Sequence, residues 1–166
     1  MRPWEERPAE VANLLNPAFC GWIIFKCVQS YIDESVGSPM PYSLAFLVLP
    51  LVLHQCTRET MKSTTRHWQV WLNGNQQIKI GVAERVRSLV PYTREALMFL
   101  QQTHTVAVRS SDAALVLQNG LRRMRRHRFS QSEETKECLK KAETLGKWFA
   151  RANSPATIYA SLGLMP

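Results

Sequence analysis

The sequence is short of the local signatures on which bond-breaking chemistry is usually built. It contains no GxxxxGK[ST] phosphate loop, no GxGxxG turn, no HExxH helix, no GxSxG elbow and no CxxC pair. The commonest motif-borne routes to nucleotide, metal and acyl chemistry are therefore missing. Cysteine is sparse, at Cys20, Cys27, Cys56 and Cys138, and histidine is scattered at positions 54, 67, 104 and 127. Zinc ligands come as short-spaced pairs with a second pair to complete the tetrahedron, and that second pair is absent. Cys20 and Cys27 fall at helical i, i+7 spacing in an apolar segment, which predicts buried thiols, a reducing compartment and no metal or cofactor. The longest uncharged apolar run, Leu44 to Leu53, is ten residues and includes Pro50. About 20 residues are needed to span a bilayer. No apolar stretch follows the charged Met1–Pro8 segment as a secretory signal would require, so a cytoplasmic protein without membrane contact is expected.

What the chain has in quantity is apolar helix. Of 166 residues, 45% are hydrophobic, enough for a single domain over residues 1–166 with its own core. The 21 Lys and Arg against 13 Asp and Glu give a net charge of +8, and Arg122, Arg123, Arg125, Arg126 and Arg128 supply five of these charges within seven residues. The basicity is a local patch rather than a property of the whole surface.

The pattern predicts a short helix over 9–15, then Asn16 as cap and Pro17 at the first helical position of a second helix reaching Glu34. Apolar residues Phe19, Cys20, Ile23, Ile24, Cys27, Val28 and Tyr31 cover most of its circumference, marking it as the central helix of a bundle. A third helix is expected from Pro41 to Leu53, bent or ended near Leu49 by Pro50. Residues 54–65 read as polar and turn-like, and 65–72 as a helix ended by Asn73-Gly74-Asn75. Val82, Val86, Leu89 and Val90 then trace one helical face closed by Pro91, and Thr93 caps a new helix whose inner face is Ala96, Leu97 and Leu100. Residues 105–109 and 113–118 form a β-hairpin around Ser110-Ser111-Asp112. Helix, helix, helix, hairpin over 65–118 is the order of a winged helix. A long helix opens at the capping box Ser130-Gln131-Ser132-Glu133, with Cys138, Ala142, Leu145, Phe149 and Ala152 as its stripe, and Ser154-Pro155 caps a last helix stopping near Gly163. The expected fold is mainly α with a small β-hairpin (α+β), a helical bundle carrying a winged-helix-like element.

The arginine cluster Arg122, Arg123, Arg125, Arg126 and Arg128 suits phosphate oxygens bidentately, which makes nucleic acid its natural counter-charge; an acidic partner or a solvated face is the competing reading. On a recognition helix over 93–103, Arg94, Glu95, Met98, Gln101 and Gln102 would face outward, and Arg94 and Met98 are candidates for a partner interface. Trp4 stands in a segment rich in proline and charge with little local core to join, and is also a candidate docking residue. Trp68 and Trp71, three apart, place at least one indole in the core, the default for the other tryptophans too. Glu59 with His67 is a conceivable catalytic pair assembled from distant residues, but nothing in their spacing favours it, and no catalytic residue is assigned.

Four stretches resemble a known family: Glu10-Val-Ala-Asn-Leu-Leu-Asn-Pro-Ala-Phe-Cys20, Leu44-Ala-Phe-Leu-Val-Leu-Pro-Leu-Val-Leu-His54 with Thr57-Arg58 after it, Arg85-Val-Arg-Ser-Leu-Val-Pro-Tyr-Thr-Arg-Glu-Ala-Leu-Met-Phe99, and Ile158-Tyr-Ala-Ser-Leu-Gly-Leu164. Together they are similar to the middle component of bacterial three-component ABC systems, the group that includes Lamassu defence. That resemblance implies a small non-catalytic subunit that sits with an SMC-like ABC ATPase and an effector, often a nuclease, in defence against phage or plasmids, and meets DNA through the complex. The rival reading of the residues is a free-standing winged-helix transcriptional regulator that binds DNA on its own.

Overall fold

The structure is a computed structural model describing residues 15–62, 64–65, 67–120, 132–152 and 154–165. The helix expected over 9–15, Trp4 and the cluster Arg122 to Arg128 lie outside the described residues. The rest is mainly helical with one small antiparallel sheet, as the sequence implies.

Helix α1 spans Pro17–Glu34. It starts where the Asn-Pro dipeptide dictates, with the Asn16 side chain accepting from the Ala18 N–H at 2.8 Å and Pro17 taking a position whose N–H has no helical partner. The described segment before the next helix is not the simple continuation expected from Pro41. Met40–Pro41 forms a short strand, β1, and Tyr42–Leu44 a 3-10 turn, so that helix α2 begins only at Ala45 and ends at Val52. Pro50 does not end α2: the chain stays helical beyond it, and the Leu53 N–H donates to the Leu49 carbonyl at 2.9 Å. The polar stretch after it is helical too. Helix α3, Gln55–Thr60, is capped by the His54 ring, which accepts from the Thr57 N–H. Helix α4 covers Trp68–Asn73 and is followed by a 3-10 turn, Gln76–Lys79.

The largest departure from expectation is helix α5. Val82–Gln102 is one 21-residue helix running through Pro91, with no turn at Pro91–Thr93. The two helices of a helix-turn-helix are therefore not formed there, and 93–103 is no separate recognition helix. The reason is the side on which the proline falls. Pro91 and Arg87, whose carbonyl loses its helical donor to the ring, are both exposed, so water can take that carbonyl. Thr93, read as a cap, is instead fully buried beside Ala96, Leu97 and Leu100 on the inward face.

The hairpin forms where expected, β2 as Val106–Arg109 and β3 as Ala114–Leu117. Its turn is closed by a two-point ion pair, Arg109 Nε to Asp112 Oδ1 at 2.8 Å and Nη2 to Oδ2 at 2.5 Å. The sheet order is β1-β3-β2, with Met40 opposite Leu115 and Val106 opposite Leu117. β1 was invisible to pattern reading because two residues carry no period. Helix α6, Glu133–Arg151, begins at an N-cap supplied by Ser132, whose Oγ accepts from the Thr135 N–H at 3.2 Å; Ser130 of the expected box lies outside the described residues. Helix α7, Pro155–Ser161, is capped by Ser154 in the same way.

Helix α1 packs against α6, α5 and α2, and touches β3. Two glycines permit the close approaches. A Cβ at Gly146 of α6 would strike the Cys27 carbonyl and the Tyr31 amide of α1, whereas one at Gly21 of α1 would meet only side chains of α5, Phe99 Cδ1 at 3.2 Å and Leu100 Cγ at 3.4 Å, before any backbone atom. Beside this lies an aromatic cluster in which Trp71 sits 5.2 Å from Trp68 and 5.0 Å from Trp148, with Phe149 5.5 Å from Trp68, centroid to centroid. Each of these indole N–H groups is satisfied, Trp68 by Ser161, Trp71 by Thr60 and Trp148 by the Thr65 carbonyl. Both Trp68 and Trp71 are core residues, as their spacing allowed.

Candidate partner-binding site

The inward face of α5 is set by Val82, Thr93, Ala96, Leu97 and Leu100, all buried, and a solvent face runs along the helix from Glu84 to Gln102. Arg94 and Met98 stand on it at i, i+4 spacing, with Met98 57% exposed. An exposed methionine beside an arginine on a helix can meet either an apolar or an acidic surface. The structure thus brings together two of the predicted contact residues; Trp4, Arg122, Arg123, Arg125, Arg126 and Arg128 lie outside the described residues.

Glu59 and His67 are both exposed. Glu59 accepts from the Gln55 amide at 2.8 Å along its own helix, and His67 precedes α4 without a capping bond. Among the described residues, no group of three or more His, Cys, Asp or Glu could hold a metal ion. Cys20 and Cys27 are buried, as their spacing predicts, and so is Cys138, while Cys56 is exposed where α3 turns its start to solvent. Burial, aided by the nearby Glu95 charge, pushes the Cys20 thiol up to about 12, and burial alone raises that of Cys27. Neither is a nucleophile in that state.

The polar centre that sequence reading missed is Arg58, 4% exposed at its side chain. Its Nη2 reaches Glu134 Oε1 at 2.9 Å, its Nε reaches Glu137 Oε2 at 3.2 Å, and its Nη1 donates to the Val52 and Leu53 carbonyls at 3.2 and 3.3 Å. One guanidinium therefore ties α3 to the start of α6 and satisfies carbonyls at the end of α2. Burial works against this cation, but the Cys138 thiol and the Glu137 and Glu134 carboxylates outweigh it and hold the pKa above its ordinary value. The available signal was the Thr57-Arg58 pair itself. An arginine about one helical turn after a ten-residue apolar run has core on one side, and two glutamates three apart at the start of a helix suit its two ends.

A family model described as ABC-three component (ABC-3C) system Middle Component 3 matches residues 4–166. The chain belongs to that family. The match takes in Arg58, the exposed face of α5, the hairpin and α6, so this middle component is covered by its family across every element described above. No curated protein and no solved structure gives a significant match. No helix of the described part of the middle component is long and apolar enough to cross a membrane.

Proposed function

We propose that this middle component is a non-catalytic accessory subunit that bridges an SMC-like ABC ATPase and an effector, often a nuclease, in Lamassu-like defence against phage or plasmids. The observation that carries the reading is the family match over residues 4–166. The use made of polar chemistry supports it. The buried arginine holds helices together, while the side chains offered to solvent on α5 include an arginine and a methionine suited to contact. In this reading DNA is met through the assembled complex, and Arg122, Arg123, Arg125, Arg126 and Arg128 are its cationic contribution toward phosphate. The regulator reading loses its footing, since α5 runs unbroken where a helix-turn-helix would turn.

Co-expression with an SMC-like ABC ATPase and an effector of the same three-component system, followed by size-exclusion chromatography, tests the proposal. The three chains are expected to co-elute at micromolar concentration, and alanine at Glu59 and His67 should leave cleavage by the complex unchanged. A monomer that ignores both partners, or a specific loss of turnover with assembly intact, overturns it.

A further inference from the structure

A cavity of about 500 Å³ lies between α6 and the chain at Thr65, and its α6 wall carries Lys140, Glu143, Thr144, Lys147 and Arg151. At 3.6 residues per turn these fall on the side of the helix opposite its packed stripe of Cys138, Ala142, Leu145 and Phe149. The charges along this wall do not cancel. Glu143 accepts from Lys26 Nζ at 2.8 Å and Arg151 Nε donates to Glu34 at 2.9 Å, so both are answered by an opposite charge. Lys140 and Lys147 are exposed, and among the described residues no carboxylate or other acceptor meets either ammonium. Thr144, between them, spends its hydroxyl proton on the Lys140 carbonyl at 3.1 Å. Two positive charges are thus left unanswered in one concave site. The dipole at the end of α6 does not account for both, because Lys140 stands about three turns before that end and the dipole acts over the last turn.

We propose that this groove is a phosphate-binding site in which Lys140 and Lys147 hold the backbone of a nucleic acid. Seven residues of helix set the two lysines about 10.5 Å apart, and one strand of duplex DNA carries a phosphate about every 3.4 Å along its axis. The pair is therefore spread over about three consecutive phosphates of a strand lying along α6, rather than focused on one compact anion. An acidic protein segment is a poorer occupant. Protein interfaces are anchored on apolar side chains and are depleted in lysine. Here the large apolar lining residue, Trp148, is 1% exposed, and its indole N–H is already bonded to the Thr65 carbonyl. Interfaces with nucleic acid are instead polar and positively charged, as this wall is. The site uses none of Arg122, Arg123, Arg125, Arg126 or Arg128, and it stands or falls independently of the accessory-subunit reading.

The test measures binding of the full chain to a fluorescent DNA duplex of about 20 base pairs and arbitrary sequence, by anisotropy between about 0.05 and 0.2 M salt. Lys140→Gln with Lys147→Gln removes two exposed ammoniums and is expected to keep the melting temperature of the wild type. Its affinity should fall about tenfold or more at about 0.1 M salt, and the slope of log affinity against log salt should drop by about 1.8, or 0.9 for each of two phosphates. Lys140→Arg with Lys147→Arg keeps the charge and should bind as the wild type does. Lys79→Gln with Arg87→Gln removes the same net charge from exposed positions outside the cavity, and should change affinity by less than about twofold because salt screens distant charges. Any binding by the arginine cluster is common to every variant and cancels in these comparisons. Equal losses in the two glutamine pairs would make the groove a solvated basic face only. Displacement of the duplex from the wild type by micromolar ATP would assign the lysines to a free nucleotide. A glutamine pair at Lys140 and Lys147 that keeps its DNA affinity but no longer co-elutes with a protein partner would assign them to an acidic segment. Each of these results, or a wild-type chain that leaves the duplex unbound, overturns the proposal.

Discussion

Helix α1 is held on two sides by two long helices, and the two contacts are made of different material. Toward α6 the packing is backbone against backbone: Gly146 lets that helix lie on the Cys27 carbonyl and Tyr31 amide, and the ion pairs Lys26–Glu143 at 2.8 Å and Arg151–Glu34 at 2.9 Å flank it. Toward α5 it is helix against side chain, with Gly21 facing Phe99 and Leu100, and α5 itself contains a proline and a fully buried Thr93 whose hydroxyl has no hydrogen-bond partner. Backbone contacts have no rotamers with which to adjust, whereas side chains do. The α6 side therefore fixes the frame, and the α5 side, which also presents Arg94 and Met98, is the one able to yield when a partner binds.

The sharpest way to break this comparison is to add the same methyl group on both sides. Gly146→Ala gains about 1 kcal/mol of helix propensity but drives a Cβ into two backbone atoms of α1, at or beyond the upper end of ordinary overpacking costs, for a net loss of about 3 kcal/mol. Gly21→Ala gains the same propensity and meets a phenylalanine ring that can shift by a few tenths of an ångström, so its stability should change by less than about 1 kcal/mol. Urea unfolding of the two variants measures the difference directly. Equal losses would mean that the two faces of α1 are equally rigid.

How far the sequence revealed this arrangement depends on whether the determinant is local. Asn16-Pro17 and Ser154-Pro155 each carry cap and first-turn residue in adjacent positions, and both helix starts follow. The hairpin was legible because its turn and both flanking runs lie within fourteen residues, 105–118. Pro91 misled because a proline breaks a helix only when its orphaned carbonyl has nowhere to go, and which face of α5 meets water is decided by α1 and α2 rather than by residues 82–102. Strand β1 exists only through β3, some seventy-five residues away. Arg58 is the clearest case at the site: its partners Glu134 and Glu137 are remote in sequence, so an arginine in a polar stretch reads as surface until the fold closes over it.

A second prediction sharpens the account of the rigid side. Arg58→Met keeps the stem's bulk but removes every donor, leaving the Val52 and Leu53 carbonyls without their guanidinium partner. The carboxylates recover water, since the side chains of Glu134 and Glu137 are 67% and 40% exposed, so the ion-pair share of the loss is small. The expected cost is about 2 kcal/mol, below that of Gly146→Ala, and Arg58→Lys should recover less than half because one ammonium cannot span the same acceptors. An Arg58→Met protein as stable as wild type would remove α3 from the frame.

The smallest effect expected is a pH dependence where the frame approaches α5. The His54 ring caps α3, its Nδ1 accepting from the Thr57 N–H at 3.3 Å and lying 2.8 Å from the Thr57 hydroxyl, an arrangement that needs Nδ1 unprotonated. Burial, and after it the nearby Arg85 charge, lowers its pKa below the ordinary 6.5. A group with a depressed folded pKa binds fewer protons folded than unfolded, so its contribution to stability is fully present above pH 6.5 and is lost as pH falls through the folded value. Lowering the pH from 7.5 to 5.5, above the range where ordinary carboxylates titrate, should therefore reduce the melting temperature, by about 2 °C or less for one partly exposed ring in a protein of this size. His54→Asn keeps a capping acceptor that does not titrate and should flatten that slope while leaving stability at pH 7.5 nearly unchanged. An unaltered slope in His54→Asn would mean that the ring caps α3 equally well in either protonation state, which its geometry at Nδ1 does not permit, and the cap would have to be assigned to the Thr57 hydroxyl instead.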